Sequence, residues 1–305
     1  MGSLALRSSL RIFSGKKSRI YAARCEVNIL VNPSVARKRQ STWKRPNFCN
    51  NANQNAEPLC LDYFSTGVPS GLSFEMALDE LAKACDRSAR GLSRVNEICF
   101  IGLVSYFEAF CKDHFASIIN IEPTLLKGLR KSGHDTSIDP ERLLNFRDDW
   151  IVKLGFLVSE KYDFGTAQKI NALFMALLKI SPFSKDEAKE YEEILRDRNL
   201  LVHHGGTITL AYANQTSALE NKSYTPYYDS LVVTADYFDQ RLKFIRDIAA
   251  KLRRATHSAL NSYIHQSGEQ YSEERKKALD AFLWRYEDEP DPDEPIIDGA
   301  DAHQL

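Results

Sequence analysis

The sequence lacks a long apolar run. Its unbroken apolar runs, such as Ile98–Val104, are only seven residues long, whereas a membrane-spanning helix needs roughly 20 apolar residues. Glycine and proline are also few, at 14 and 11 of 305 residues, which excludes collagen-like and fully disordered proteins. We therefore expect a globular chain with no membrane partner.

Paired cysteines and a glycine-rich phosphate loop are absent as well. No two of the six cysteines have C-x-x-C spacing, and no Cys/His cluster has zinc spacing. We interpret the cysteines as reduced thiols of a cytoplasmic protein, and we expect neither a metal nor a cofactor. They are Cys25, Cys49, Cys60, Cys85, Cys99 and Cys111.

Charge is distributed unevenly along the chain. Residues 1–60 carry 11 Lys/Arg and two acids, a net charge of +9, whereas residues 286–305 carry eight acids and no Lys/Arg, a net charge of −8. The body between them is almost neutral. A basic arm, a globular body and an acidic tail are thus distinct segments.

These shifts in charge, together with the helical periodicity, predict four segments. They are a basic, disordered or transit-like segment (1–68), a helical domain (69–265), a short C-terminal helix (266–286) and an acidic disordered tail (287–305). The arm has three interpretations: a transit peptide, which would make the protein organellar, an arm that touches nucleic acid, or a wrongly assigned start codon.

Apolar residues in the body recur with helical spacing. A continuous stripe with 3-4-3-4-3 spacing consists of Ile101, Val104, Glu108, Cys111, Phe115 and Ile118. Helix starts are predicted at Asp139-Pro140-Glu141 and at the capping box Ser184–Glu187. Further helices are predicted around residues 170–178, 236–260 and 272–286. The fold class is therefore an all-α bundle, and the alternation in Thr207–Tyr212 adds a possible β-hairpin with Leu231–Thr234 at its edge.

The helix that starts at Ser184 closes with the segment Arg198-Asn-Leu-Leu-Val-His203, and Gly205-Gly206 follows. This segment resembles the Arg-polar-x-x-x-His signature of the HEPN family, whose domains are small helical bundles. The resemblance covers at most residues 73 to about 260. In that family the signature also lies on a late helix, after a long amphipathic helix.

The resemblance implies a metal-independent endoribonuclease that acts as a homodimer, with two signatures facing each other across a cleft. Such domains recur in toxin–antitoxin, defence and RNA-processing systems. Other members of the family have lost catalysis and bind a nucleotide or a partner, such as an antitoxin or a nucleotidyltransferase. A helical scaffold without an active site is a third interpretation.

The chemistry of these residues agrees with RNA cleavage. His203 can take a proton near neutral pH, and Arg198 can hold a phosphate through its permanently charged guanidinium. Asn199 lies four residues before His203 and can orient the ring or the substrate. Arg198 and His203 are roughly 140° apart on an ideal helix. That separation favours either an unwound last turn or a site shared by two subunits.

Each candidate also has a structural interpretation. His203 and His204 could simply offset the helix dipole, and we interpret Arg196 as a solvated surface charge. Glu108 interrupts an apolar stripe, so it either pairs with Arg198 or reaches solvent. The helix over 236–260 carries many cations, which form either a solvated face or an RNA-binding track. The RNA-binding candidates there are Arg241, Arg246, Arg253 and Arg254.

Overall fold

A computed structural model describes residues 58–144, 152–216, 224–268 and 270–284. Within these ranges the chain forms helices and no β-strand, which confirms the predicted all-α class. The helices are α1 (Ser70–Ala84), α2 (Arg94–Ile121), α3 (Leu126–Lys131), α4 (Pro140–Leu144), α5 (Leu154–Ser159), α6 (Ala167–Leu178), α7 (Lys185–His204), α8 (Leu210–Gln215), α9 (Ala235–Ser267) and α10 (Glu273–Asp280). Short 3-10 turns lie at Cys60–Tyr63, Pro123–Leu125 and Ala281–Leu283.

Helix α2 is the centre of the bundle. Its first turn is capped by Ser93, whose Oγ accepts the N–H of Asn96 at 3.4 Å. It packs against α1, α5, α7 and α9, because apolar residues cover most of its circumference. The predicted stripe lies in the core, where its fully buried members are Val104, Cys111, Phe115 and Ile118.

Helices α7 and α9 begin and end at residues with strong capping preferences. Ser184 Oγ accepts the N–H of Glu187, while Glu187 Oε2 accepts the N–H of Ser184, so the predicted capping box is present. Gly205 ends α7 with a φ of 59°, and Gly268 ends α9 with a φ of 68°. Both glycines adopt the left-handed conformation in which a side chain would be strained.

The predicted hairpin after α7 is wrong. Thr209 Oγ1 accepts the N–H of Tyr212 at 3.1 Å and caps α8, so the alternating segment turns into a helix after three residues. What remains of the pairing is one antiparallel bridge between Thr207 and Ser230. The second predicted strand ends at Thr234, which caps α9 instead.

The domain boundary predicted at residue 68 needs a correction. Residues 58–68 join the core, where Tyr63 is buried and Phe64 is only 1% exposed. The ring of Phe64 lies 5.7 Å from that of Phe282, and the N–H of Cys60 donates to Glu274 of α10 at 2.9 Å. The C-terminal helix α10 contacts the 3-10 turn at the start of the body. It therefore belongs to the same folded body.

Several sequence predictions lie outside the described residues. These are the predicted disorder of residues 1–57 and 287–305, the state of Cys25 and Cys49, and the course beyond residue 144 of the helix predicted to start at Asp139-Pro140-Glu141. The other four cysteines are buried, unpaired thiols. In the ranges that the structure describes, no helix is both long and apolar enough to cross a membrane.

His114 of α2 is a fully buried titratable group between α1 and α9. Its Nδ1 lies 3.0 Å from Ser70 Oγ, and its Nε2 lies 2.9 Å from Thr256 Oγ1. Burial, with a smaller contribution from Arg253, lowers the pKa of the ring from 6.5 to about 3. The folded protein keeps this ring neutral, whereas the unfolded chain binds a proton below about pH 6.5, so acid favours unfolding.

We expect His114 alone to lower the free energy of unfolding by about 2 kcal/mol between pH 7 and pH 5. The loss begins near pH 6.5 and continues down to about pH 3. His114→Gln keeps a polar group beside the two hydroxyls but binds no proton, so its stability should change less with pH. Urea denaturation at both pH values measures the difference. Equal losses in the two proteins would contradict the prediction.

Candidate functional site

The signature residues occupy the last two turns of α7. The helix stays regular through His204, and the N–H groups of Gly205 and Gly206 then donate to the carbonyls of Leu201 and Leu200 at 3.1 and 3.2 Å. The unwound last turn, one of the two predicted solutions, is therefore not found. A site shared by two subunits is the alternative that stays open.

An open cavity of about 820 Å³ lies along this end of α7. It collects side chains from α2, α7, α8 and the loop before α6, and includes all three predicted catalytic residues and both supporting candidates. Those five are Glu108, Arg198, Asn199, His203 and His204. Sequence reasoning missed other lining residues, which include Asp163, Thr166, Glu192, Thr209, Tyr212 and Gln215.

Arg198 is held in a fixed orientation on the cavity wall. Its Nη2 donates to Glu108 Oε1 at 2.8 Å, and its Nη1 donates to Asn199 Oδ1 at 3.0 Å. Both members of the ion pair are partly exposed. Burial raises the pKa of Glu108 even though Arg198 acts to lower it. Of the two alternatives for Glu108, the structure thus shows the ion pair with Arg198. Asn199 contacts the guanidinium as well.

His203 and His204 are both exposed at the end of α7. They lie in its last turn, where a positive charge would interact favourably with the helix dipole. His203 also lines the same cavity as Arg198, with no apolar wall burying its ring. Its position therefore leaves room for a phosphate group beside it.

Asp197 is an important residue that the sequence analysis missed. It is buried, and its two carboxylate oxygens accept the hydroxyl groups of Tyr212 at 2.6 Å and of Tyr237. Burial is the main cause that raises the pKa of both tyrosines. These bonds tie α7 to α8 and α9 next to Arg198. An acid on the apolar face of α7, between Ile194 and Leu201, was the available signal.

Arg196 also differs from its prediction as a solvated charge. It is partly buried, and its Nη1 donates to the carbonyl of Gln215 at 2.9 Å. Because Gln215 is the last residue of α8, the cation compensates the negative end of that short helix. Arg196 thus fastens α8 against α7 and closes one side of the cavity.

The predicted RNA-binding track on α9 is not formed by its arginines. Arg241 pairs with a carboxylate of α7 at 3.1 Å, and Arg246 pairs with Glu75 of α1 at 3.0 Å. Arg253 is only 5% exposed and lies 3.6 Å from the other oxygen of Glu75. Of the four candidates Arg254 is the exposed one. The sequence suggested an RNA-binding track because the carboxylate partners of these arginines lie on other helices, where the sequence of α9 does not reveal them.

Comparison with known proteins adds no assignment. No family model, curated protein or solved structure matches the chain significantly. The interpretation of the site depends on the residues that line the cavity and on their chemistry.

Proposed function

We propose that the chain is a HEPN-like, metal-independent endoribonuclease. The observation that carries the proposal is that Arg198, Asn199 and His203 line one open cavity, with the guanidinium held by Glu108. An exposed imidazole can supply the base for metal-free RNA cleavage, and a fixed guanidinium can stabilise the charge of its transition state. A role in a toxin–antitoxin or defence system, and a cytoplasmic location, belong to the same proposal.

The proposed reaction uses the 2′-hydroxyl of RNA as the nucleophile. His203 accepts the hydroxyl proton as the 2′-oxygen forms a bond to phosphorus, and the bond between phosphorus and the 5′-oxygen breaks. Arg198 stabilises the negative charge that develops on the phosphorane oxygens. The departing 5′-oxygen takes a proton from solvent in the open cavity. The products are a 2′,3′-cyclic phosphate and a 5′-hydroxyl.

Glu108 and Asn199 are positioning residues in this reaction. Because they hold Nη2 and Nη1 of Arg198, the guanidinium loses less conformational freedom when it binds a phosphate. The buried carboxylate of Asp197 supports the site indirectly. It fixes α7 against α8, which contributes Tyr212 to the cavity wall.

We propose that two copies of the chain form the complete site. Arg198 and His203 project roughly 140° apart from a regular helix, so one copy presents them poorly to a single phosphate. A second copy could supply the missing partner to each. The regular geometry of α7 up to His204 supports this proposal.

An exposed face of α2 supports this dimer. Its residues are at least partly exposed, carry no charge and lie on one side of the helix: Val95, Ile98, Gly102, Ser105, Tyr106 and Ala109. We call this surface the uncharged face. It begins beside the signature, because Arg94 Nη1 donates to the carbonyl of Gly205 at 3.4 Å, and the exposed Val202 lies on the adjoining helix. Uncharged exposed faces of this kind mark protein interfaces.

The second candidate is a non-catalytic module that binds a nucleotide or a partner protein such as an antitoxin or a nucleotidyltransferase. Three carboxylates, from Glu108, Asp163 and Glu192, line the cavity along with its cations. Carboxylates beside a binding site weaken its attraction for a long polyanion. The third interpretation, a helical scaffold without an active site, would require Arg198 and His203 to point apart both in one chain and across the dimer.

The test is an RNA cleavage assay in EDTA with end-group analysis. We expect the wild-type protein to cut unstructured RNA and to leave 2′,3′-cyclic phosphate and 5′-hydroxyl ends. A double variant, Arg198→Ala with His203→Ala, purified in parallel, controls for contaminating nucleases. Equal cleavage by both proteins, or no cleavage by a folded dimeric wild type, would contradict the ribonuclease and favour the binding module.

A further inference from the structure

Residues 224–230 form a short loop before α9 that we call the tyrosine loop. It holds three tyrosines whose rings are open to solvent: Tyr224, Tyr227 at 68% exposure and Tyr228 at 88% exposure. The folded body makes little use of these rings. Three exposed aromatic side chains within five residues form a concentrated surface for contact with another molecule.

The tyrosine loop is attached to the edge of the cavity. Tyr227 N–H donates to the carbonyl of Ile208 at 2.7 Å, and Leu231 N–H donates to the carbonyl of Gly206 at 2.9 Å. Gly206 and Ile208 lie between two residues that line the cavity, His204 and Thr209. At the start of the loop, Tyr224 is near enough to Tyr212 to contribute to the raised pKa of that cavity-lining hydroxyl. The tyrosine loop is therefore anchored to the segment that joins α7 to α8, at the edge of the cavity.

The backbone of the loop is strained at one of these tyrosines. Thr225–Tyr228 make a turn in which Tyr228 N–H donates to the carbonyl of Thr225 at 3.2 Å, with Pro226 in the second position. Tyr227, in the third position, has a φ of 69°. A positive φ after proline is the type II pattern, which favours glycine at this position. The sequence places an aromatic ring where glycine would relieve the strain, and strained residues of this kind cluster at functional sites.

We propose that the tyrosine loop is a stacking platform for unpaired nucleobases. Aromatic side chains bind the faces of unstacked bases with little sequence preference, whereas bases inside a duplex are already stacked. The inference rests on the proposed ribonuclease and deepens it. It assigns single-stranded RNA as the substrate class, with a phosphate at Arg198 and neighbouring bases on Tyr227 and Tyr228.

The test measures binding separately from cleavage. The probe is a fluorescent 12-nucleotide RNA in which every 2′-hydroxyl is methylated, so that it binds but cannot be cut, used single-stranded or annealed to its complement. Tyr227→Gly and Tyr228→Ala are each expected to weaken single-strand binding at least fivefold in fluorescence anisotropy, since stacking on one aromatic ring contributes about that much or more. Tyr228→Phe keeps the ring and is expected to retain the affinity.

Stability separates this role from a structural one. Tyr227→Gly is expected to unfold at the same urea concentration as the wild type or at a higher one, because glycine relieves the positive φ. Unchanged single-strand affinity in both variants, or equal binding of the duplex, would overturn the platform. If both variants bind RNA normally but lose a protein partner instead, the platform is likewise overturned and the loop becomes a protein-binding surface.

The platform and the ribonuclease fail in different ways. If the wild type binds the methylated strand through the tyrosines but cuts no unmodified RNA, the platform stands and the ribonuclease falls. If the wild type cuts RNA while the loop variants keep its KM and kcat, the ribonuclease stands and the platform falls. Absence of any binding to the methylated strand overturns the platform, and the cleavage assay then judges the ribonuclease on its own.

Discussion

Pairing an Arg198→Ala chain with a His203→Ala chain is expected to restore RNA cleavage that neither variant retains. Each single substitution should lower kcat about 100-fold or more, because it removes either the phosphate clamp or the base from every site. In a mixed dimer with shared sites, one of the two sites contains an intact Arg198 from one chain and an intact His203 from the other. Its activity should reach about half that of the wild type.

Two affinity tags on co-expressed chains allow the mixed dimer to be purified free of either homodimer. Cleavage of a fluorescent RNA in EDTA then gives kcat for the mixed dimer and for each parent. A mixed dimer as inactive as its parents would show that Arg198 and His203 act within one chain. The shared site would be wrong in that case, although the ribonuclease itself could still hold.

Ile98→Glu is expected to dissociate the proposed dimer and to remove RNA cleavage with it. Ile98 lies in the middle of the uncharged face and is 67% exposed in the single chain, so a charge there is tolerated by the fold. In a dimer the same carboxylate would be buried without a partner, which strongly opposes association. Ultracentrifugation should show a monomer, and kcat should fall to the level of the Arg198→Ala protein.

Met175→Glu is the matched control for this variant. Met175 is also an exposed apolar residue, but it lies on α6 and away from the uncharged face. We expect Met175→Glu to stay dimeric and active, and both variants to unfold at nearly the wild-type urea concentration. An Ile98→Glu protein that remains a dimer would place the interface elsewhere.

Local signals in the sequence predicted the helices well. The Ser184–Glu187 capping box and Gly205 act through hydrogen bonds and backbone angles within a few residues, so their effect can be recognised without the rest of the fold. The stripe of α2 is predictable for a similar reason, since its spacing alone defines a buried face. For Glu108 the rule that an acid in an apolar stripe needs a partner left two alternatives, Arg198 or solvent, and the structure shows the pairing with Arg198.

Features that depend on distant residues were not predictable in the same way. The alternation after α7 predicts a strand, whereas in the structure Thr209 caps a helix. The arginines of α9 looked available because nothing local shows that α1 and α7 supply their carboxylates. Asp197 also lies on an apolar face and needs partners, but no local signal identifies its two tyrosines, which lie 15 and 40 residues further along the chain.

The internal pairing of the α9 arginines has a consequence for the ionic strength at which the protein could work. Each phosphate that a protein neutralises releases counterions, and this release makes the affinity for single-stranded nucleic acid fall steeply with salt. Because Arg241, Arg246 and Arg253 are already matched to carboxylates, these three side chains have little charge left to displace counterions from RNA. These three arginines should therefore add little to the salt dependence of RNA binding, in contrast to a track of free cations.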